Sequence, residues 1–245
     1  MRFWVVGGTS GIGLGMVERL LQKGETPLVL SNDPDGSTTI ESRGGVFRFL
    51  DLGDAGVAEH TAAAVAEYGS PGVVLMSAGY TLEKRGIETG AAEWQRLAAV
   101  NLLGVVQLCH AVAQTWMTEK PAGWTRQFVL IGSVNAWRPL SSQGAYSVMK
   151  AGLHAYAKCL ANDVADHQIR VNVVVPGAIL TPMSTRLLVD DAAGDKERAI
   201  VNSALLRRWG KPEEVADVAL WLATESPPFV NGCEIVVDGG HTVMR

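Results

Sequence analysis

Short apolar runs alternate with longer amphipathic segments along this chain, and that alternation restricts the fold more than any other feature in it. Runs suited to buried strands occur at 3–6, 28–30, 46–50, 73–76, 128–131, 171–175 and 235–237. Segments of helical character lie between most of them, at 11–23, 55–68, 91–117, 146–166 and 213–223. Parallel strands need a crossover to join them, and strands covered on both faces read as continuous apolar runs. The pattern predicts a doubly wound α/β fold, a Rossmann-like parallel sheet of about seven strands flanked by helices. No linker-like shift of composition divides the 245 residues, so 1–245 reads as a single domain. Hydrophobic residues at 47% and charged residues at 19% supply a core and exclude a disordered chain.

In such a sheet, ligands bind beyond the carboxyl ends of the strands, near the point where strand order reverses. Small or polar residues stand at five of those ends: Gly7, Asp51, Ser77-Ala78-Gly79, Ser133 and Pro176-Gly177. The first opens Gly7-Gly8-Thr9-Ser10-Gly11-Ile12-Gly13, which passes from a strand into an amphipathic helix bearing Leu14, Val17, Leu20 and Leu21 and closed by Gly24. Glycines let the backbone turn sharply beside a pyrophosphate, and the helix N-terminus offers unpaired N–H groups. A turn without a ligand is the alternative for a glycine cluster taken alone.

Tyr146 and Lys150 form the second feature. Residues at i and i+4 share one helix face, so the phenol and ammonium act on one small volume. A free tyrosine, with pKa about 10, is a poor base at neutral pH, and a nearby cation favours its phenolate. The spacing alone is common on solvated helices; beside the glycine turn it outlines a proton-transfer site next to a nucleotide site. Asn101 in Val100-Asn101-Leu102-Leu103 has poor helix propensity, which suggests a helix-distorting or water-relay role, with a satisfied buried amide as the plain alternative.

Other classes find little support. A net charge of -4 without a Lys/Arg-rich run argues against nucleic acid or an anionic membrane as partner and favours a small-molecule substrate. Cys109, Cys159 and Cys233 make no C-x-x-C pair, and the five histidines show no ligand spacing, so no metal site is expected. No leader pattern and no apolar run of membrane-spanning length is evident, which predicts a cytoplasmic protein. Residues 181–206 are the least regular, with Asp190 to Asp195 expected to be solvated; a lid and a plain surface excursion are equally open.

Together these motifs resemble the short-chain dehydrogenase/reductase family over essentially the whole chain. The 6–13 segment is similar to the family's Thr-Gly-x-x-x-Gly-Ile-Gly cofactor loop, with Val6 for the usual threonine. Asp51-Leu52 resembles the pair that holds the adenine ring, and Ser77-Ala78-Gly79 the Asn-Ala-Gly element with serine for asparagine. Asn101, Ser133, Tyr146 and Lys150 match the catalytic tetrad, and Pro176 to Thr181 the loop that receives the nicotinamide carboxamide through the Ile179 backbone and the Thr181 hydroxyl. The run 231–240 resembles the last strand, which packs between subunits, so the resemblance implies a homotetramer, or a dimer.

The resemblance thus implies an NAD(P)-dependent oxidoreductase, a short-chain alcohol dehydrogenase or ketoreductase moving hydride between a nicotinamide and a secondary alcohol or ketone, with Tyr146 as acid/base. A regulator that binds cofactor without turnover has no need of the full tetrad, and a small epimerase would need a larger substrate domain. Cofactor residues are then Gly7, Thr9, Ser10, Gly11, Ile12, Gly13, Asn32, Asp33, Asp51, Leu52, Ala78, Gly79, Pro176, Gly177, Ile179 and Thr181, with Tyr146 and Lys150. Candidate substrate residues are Ser133, Asn135, Trp137, Gln143 and Met183, with Arg138 and Leu187 beyond them. NAD(H) is favoured and NADP(H) not excluded: Asn32 stands where an acidic residue would bind the ribose, Asp33 would repel a 2′-phosphate, Ser10 is not basic, and Arg43 or Arg48 could swing in.

Overall fold

The computed structural model describes residues 3–189 and 194–244, without the Leu187 side chain. Asp190, Asp191, Ala192 and Ala193, from the stretch expected to be solvated, lie outside the described residues. The strands are β1 Phe3–Val6, β2 Leu28–Ser31, β3 Val46–Phe49, β4 Val73–Met76, β5 Arg126–Ile131, β6 Ile169–Pro176 and β7 Glu234–Val237. They form one sheet in the order β3-β2-β1-β4-β5-β6-β7, and every pairing is parallel. Beyond β3 the chain crosses to the other side of β1 to place β4. Strand order therefore reverses between β1 and β4, and the connections on either side diverge from that point.

The helices follow as α1 Gly11–Gln22, α2 Ser37–Ser42, α3 Val57–Tyr68, α4 Ala91–Ala98, α5 Gly104–Thr118, α6 Gly144–Asp163, α7 Pro182–Thr185, α8 Asp195–Asn202 and α9 Pro212–Thr224. Because alternate residues of a strand point to opposite faces, each strand feeds two cores. Trp4, Val6, Leu28, Leu30, Val74, Met76, Phe128 and Leu130 join Val105, Leu108, Val112 and Trp116 of α5 and Leu153, Ala157 and Leu160 of α6 on one face. Phe3, Val5, Val29, Leu75 and Val129 join Met16, Val17 and Leu20 of α1 and Val215, Ala219 and Leu220 of α9 on the other.

Strands β5 and β6 run longer than their apolar stretches because buried nitrogen donors of polar residues inside them find partners. The buried Arg170 guanidinium donates to Ser226 Oγ (2.9 Å) and to the Trp124 carbonyl (3.1 Å), and Gln127 Nε2 to the Leu222 carbonyl (2.8 Å). Short helices α2, α7 and α8 were not expected. Helix α7 starts at Pro182 with Thr181 as its cap, the Thr181 hydroxyl accepting from the Ser184 N–H.

One expectation needs correction. The continuous helix 91–118 holds an 18-residue window of mean hydropathy 1.5, long and apolar enough by composition to cross a membrane. Half of that window is buried, since Val105, Leu108, Val112 and Trp116 face the sheet.

Candidate active site

At the β1/β4 switch point a cleft of about 930 Å³ opens along the carboxyl ends of the strands. Its floor at one end is the turn from β1 into α1. Gly7 has φ +79°, and a Cβ there would lie 2.6 Å from the Ala78 backbone, so only glycine lets the turn pass under the end of β4. Gly13 lies behind the cleft rather than in its lining; a Cβ there would come 1.9 Å from the Gly7 carbonyl oxygen, so its role is to seat α1 on the turn. Ser10 occupies the N-cap position of α1, yet no side chain caps the helix. Its first-turn N–H groups are thus left for whatever lies in the cleft, which Gly7, Thr9, Ser10, Gly11 and Ile12 line.

Next to this turn the cleft is lined by Asn32, Asp33, Asp51 and Leu52. Thr9 and Ser31 share a hydroxyl hydrogen bond of 2.9 Å, and Ser31 Oγ accepts from the Asp33 N–H at 3.2 Å, which fixes the chain after β2. Asp51 accepts from Arg96 (3.0 Å) and from the Gly53 N–H (2.7 Å). Burial pushes the Asp51 carboxyl up, but the Gly53 N–H, the Arg96 guanidinium and the Asn32 amide together hold it below the usual carboxylate range. Arg96 also lines the cleft, a cation the sequence did not single out because it stands mid-helix with no strand end beside it. Arg43 and Arg48 do not line it: they pair with Glu18 and Glu67 on the outer surface.

The middle and far end gather Ala78 and Gly79 after β4, Ser133 and Asn135 after β5, Tyr146 and Lys150 from α6, Pro176 at the end of β6, and Gly177, Ile179, Thr181 and Met183 beyond it. Gln143 joins them, accepting from Asn135 Nδ2 at 2.7 Å. Lys150 Nζ, buried, donates to the Ile131 carbonyl at 2.8 Å and sits 5.7 Å from the centre of the Tyr146 ring. Burial lowers the Lys150 ammonium to about 8. Burial raises the Tyr146 phenol to about 12, against a smaller downward pull from a hydrogen bond with Ser133, so burial overrides the lowering expected from the Lys150 cation. Ser133 Oγ accepts from the Asn135 N–H (3.1 Å), which orients its own proton away from that amide.

Asn101 lies behind this group, fully buried. The residues Ala99–Leu103 form a π-helical turn between α4 and α5, so the expected distortion is present, and the side chain is satisfied as well. Asn101 Nδ2 donates to the Tyr80 carbonyl (2.9 Å) and the Leu97 carbonyl (3.1 Å), while Oδ1 accepts from the Tyr80 N–H (3.1 Å). It thereby ties the chain after β4 at Tyr80 to the end of α4 at Leu97. Asn101→Ala removes these three bonds and is expected to cost about 2 kcal/mol, read as a fall in Tm of about 4–8 °C with the far-ultraviolet spectrum unchanged.

Two candidate substrate residues stand elsewhere. Trp137 is absent from the lining; its ring meets His154 edge-on at 5.6 Å, because the short turn Val134–Ala136 swings the chain outward after Asn135. Arg138 donates to the His241 carbonyl, which ties the C-terminal segment to this loop. The far wall is instead built by Tyr80, Ile200, Ser203, Trp209 and His241, none of which was singled out in the sequence. Ile200 and Ser203 come from α8 and its end, Trp209 from the segment before α9 and His241 from beyond β7, where no motif marks them, while Tyr80 directly follows the Ser77-Ala78-Gly79 element after β4.

A family model described as "Enoyl-(Acyl carrier protein) reductase" matches residues 6–242. The chain is 30% identical to a 3-oxoacyl-[acyl-carrier-protein] reductase of Chlamydia pneumoniae, covering 97% of this chain and 95% of that protein. It is 31% identical to an NADP-dependent (R)-specific alcohol dehydrogenase of Lentilactobacillus kefiri, over 98% of this chain and 96% of the relative. A solved structure titled "short chain dehydrogenase/reductase family protein" superposes with a TM-score of 0.85 at 27% identity, over 100% of this chain and 98% of that one.

Proposed function

This chain belongs to the short-chain dehydrogenase/reductase family of oxidoreductases, and on that footing we propose that it interconverts a secondary alcohol and its ketone with Tyr146 as acid/base. The observation that carries the reading is the convergence of Ser133, Tyr146 and Lys150 at one end of a cleft whose other end is the uncapped start of α1. The residues fit a dinucleotide: the Gly7 turn and α1 suit a pyrophosphate, Asn32 and Asp33 a ribose, Asp51 and Leu52 an adenine, and Ile179 and Thr181 a nicotinamide carboxamide. A bound nicotinamide cofactor supplies or removes the hydride.

The chain's own residues handle the proton. Ser133, whose oxygen already accepts from Asn135, donates its hydroxyl proton to the substrate oxygen and sets its distance from Tyr146. Tyr146 gives its proton to the oxygen as negative charge develops there, or takes it in the reverse direction. Lys150, held by the Ile131 carbonyl, presents its ammonium to that same volume and supports the phenolate. A panel of aliphatic, cyclic and steroidal secondary alcohols, their ketones and 3-oxoacyl thioesters, followed by absorbance of the reduced nicotinamide, tests the reading. Turnover of none of them, with cofactor bound, would favour a binding protein instead.

NAD(H) is the preferred cofactor in this reading. Asp33 lines the cleft beside Asn32, and Arg96, the cation on that side, is engaged by Asp51. A 2′-phosphate would meet a carboxylate without a freely available guanidinium. The kcat/KM ratio is expected to favour NADH by about tenfold or more, the worth of one unfavourable charge contact; an advantage for NADPH would mean that Arg96 leaves Asp51 to bind the phosphate. The assembly is a homo-oligomer through the β7 region, where Val236 and Val243 are exposed, and sedimentation tests it.

A further inference from the structure

Directly behind Ser133 lies a buried titratable group that the proposed reaction does not use. His154, on α6 one turn beyond Lys150, is only 4% exposed. Its Nε2 accepts from the Ser133 backbone N–H at 3.3 Å, and its Nδ1 lies 3.2 Å from Glu234 Oε2 on β7. Only an unprotonated nitrogen can accept, so the imidazole proton resides on Nδ1 and is donated to the carboxylate. The fit is close: a Cβ on Gly132 would lie 2.1 Å from His154 Nε2, so the glycine before Ser133 is what admits the ring. The Trp137 indole closes the remaining side.

We infer that His154 is a positioning residue for Ser133: held in one tautomer by Glu234, the neutral ring fixes the Ser133 backbone, and protonation at Nε2 releases it. The inference rests on the reading of Ser133 as the residue that orients the substrate oxygen. When Nε2 gains a proton it becomes a donor facing the Ser133 N–H, also a donor. The contact turns repulsive, and Ser133 Oγ moves with its backbone. The charged groups facing His154 are Glu234 from β7 and, on its own helix, Lys150 and Lys158; the Ser133 loop brings an N–H and the Trp137 ring no charge. Burial lowers the His154 pKa, and the two lysines push the same way, so that this net effect outweighs the upward pull of Glu234. The ring is therefore neutral at neutral pH, and the release belongs to the acid side.

Nuclear magnetic resonance of the full chain, with 15N label in the backbone and imidazoles, tests this without turnover. The expected result is an Nε2 shift typical of an unprotonated nitrogen at neutral pH, and a Ser133 amide that shifts on acidification with the midpoint of His154, below about 6.5. His154→Gln, whose side-chain oxygen can still accept, should abolish that acid response of the Ser133 amide and hold kcat near wild type on the best substrate of the panel. His154→Leu should lower kcat by about tenfold or more with cofactor Kd unchanged. An Nε2–H tautomer, a Ser133 amide silent down to the pH of unfolding, or an undiminished acid response in His154→Gln would each overturn the inference. Those readouts can fail while the Tyr146 chemistry stands, and the Tyr146 chemistry can fail while the coupling of His154 to Ser133 persists.

Discussion

Tyr146→Phe is expected to lower kcat by about 10²- to 10⁴-fold, the usual worth of a positioned proton donor, with the cofactor Kd changed by less than about twofold. The substitution deletes one oxygen from a ring whose place on α6 is set by its neighbours. Ala145 and Met149 hold the helix in a small apolar cluster with Leu97, against which Tyr146, Tyr80 and Trp94 pack. Phenylalanine therefore keeps the packing and loses the proton. Steady-state rates together with fluorescence titration of the cofactor separate the two effects. A variant with wild-type turnover would move the acid/base role to another group, and only an unchanged Kd makes the kinetic loss a statement about chemistry.

Lys150→Met should do the opposite to rate and stability. Turnover falls by about 10²-fold or more, because the phenolate loses its cation, and cofactor binding weakens if the ammonium also reaches the ribose. The folded chain, however, is expected to become more stable at neutral pH. Burial lowers the Lys150 pKa from 10.5 to about 8, so between those values the unfolded chain binds more protons and wild-type stability rises with pH. At pH 7 the charged amine therefore costs the fold about 3 kcal/mol, less whatever the bond to the Ile131 carbonyl returns. The variant's Tm advantage should be largest at pH 7 and vanish above about pH 10.5. Melting curves across that range decide it; a variant less stable than wild type at pH 7 would show that the hydrogen bond dominates the desolvation.

Those two residues were legible in the sequence because helix spacing alone puts them on one face, and the Gly7 turn because a strand must end before α1 can begin. The seven strands were found from their apolar runs, although Gln127 and Arg170 concealed the full lengths of β5 and β6. What escaped depends on tertiary placement. Trp137 follows a strand end by only a few residues, yet the 3-10 turn at Val134–Ala136 carries it away from the cleft to His154. Trp209 and His241 reach the cleft from far along the chain, and no local pattern marks a residue whose neighbours lie across the fold. The His154–Glu234 contact joins α6 to β7 across 80 residues, and each residue read alone is an ordinary polar position.

The β3-β2-β1-β4 strand order bears on the order in which the protein can assemble as it is synthesised. The first strand is made first but pairs on one side with β4, whose register runs from Phe3 opposite Val73 to Val6 opposite Met76. Until residue 76 has emerged, a ribbon of β1, β2 and β3 has an inner edge of unpaired backbone N–H and C=O groups on a strand whose side chains are all apolar. A nascent chain halted shortly before that point would carry a fully exposed template for strand addition by another chain, and its hazard ends when β4 docks. The same docking brings Ala78 against Gly7, so the chain closes its aggregation-prone edge and completes the floor of its binding cleft in a single step.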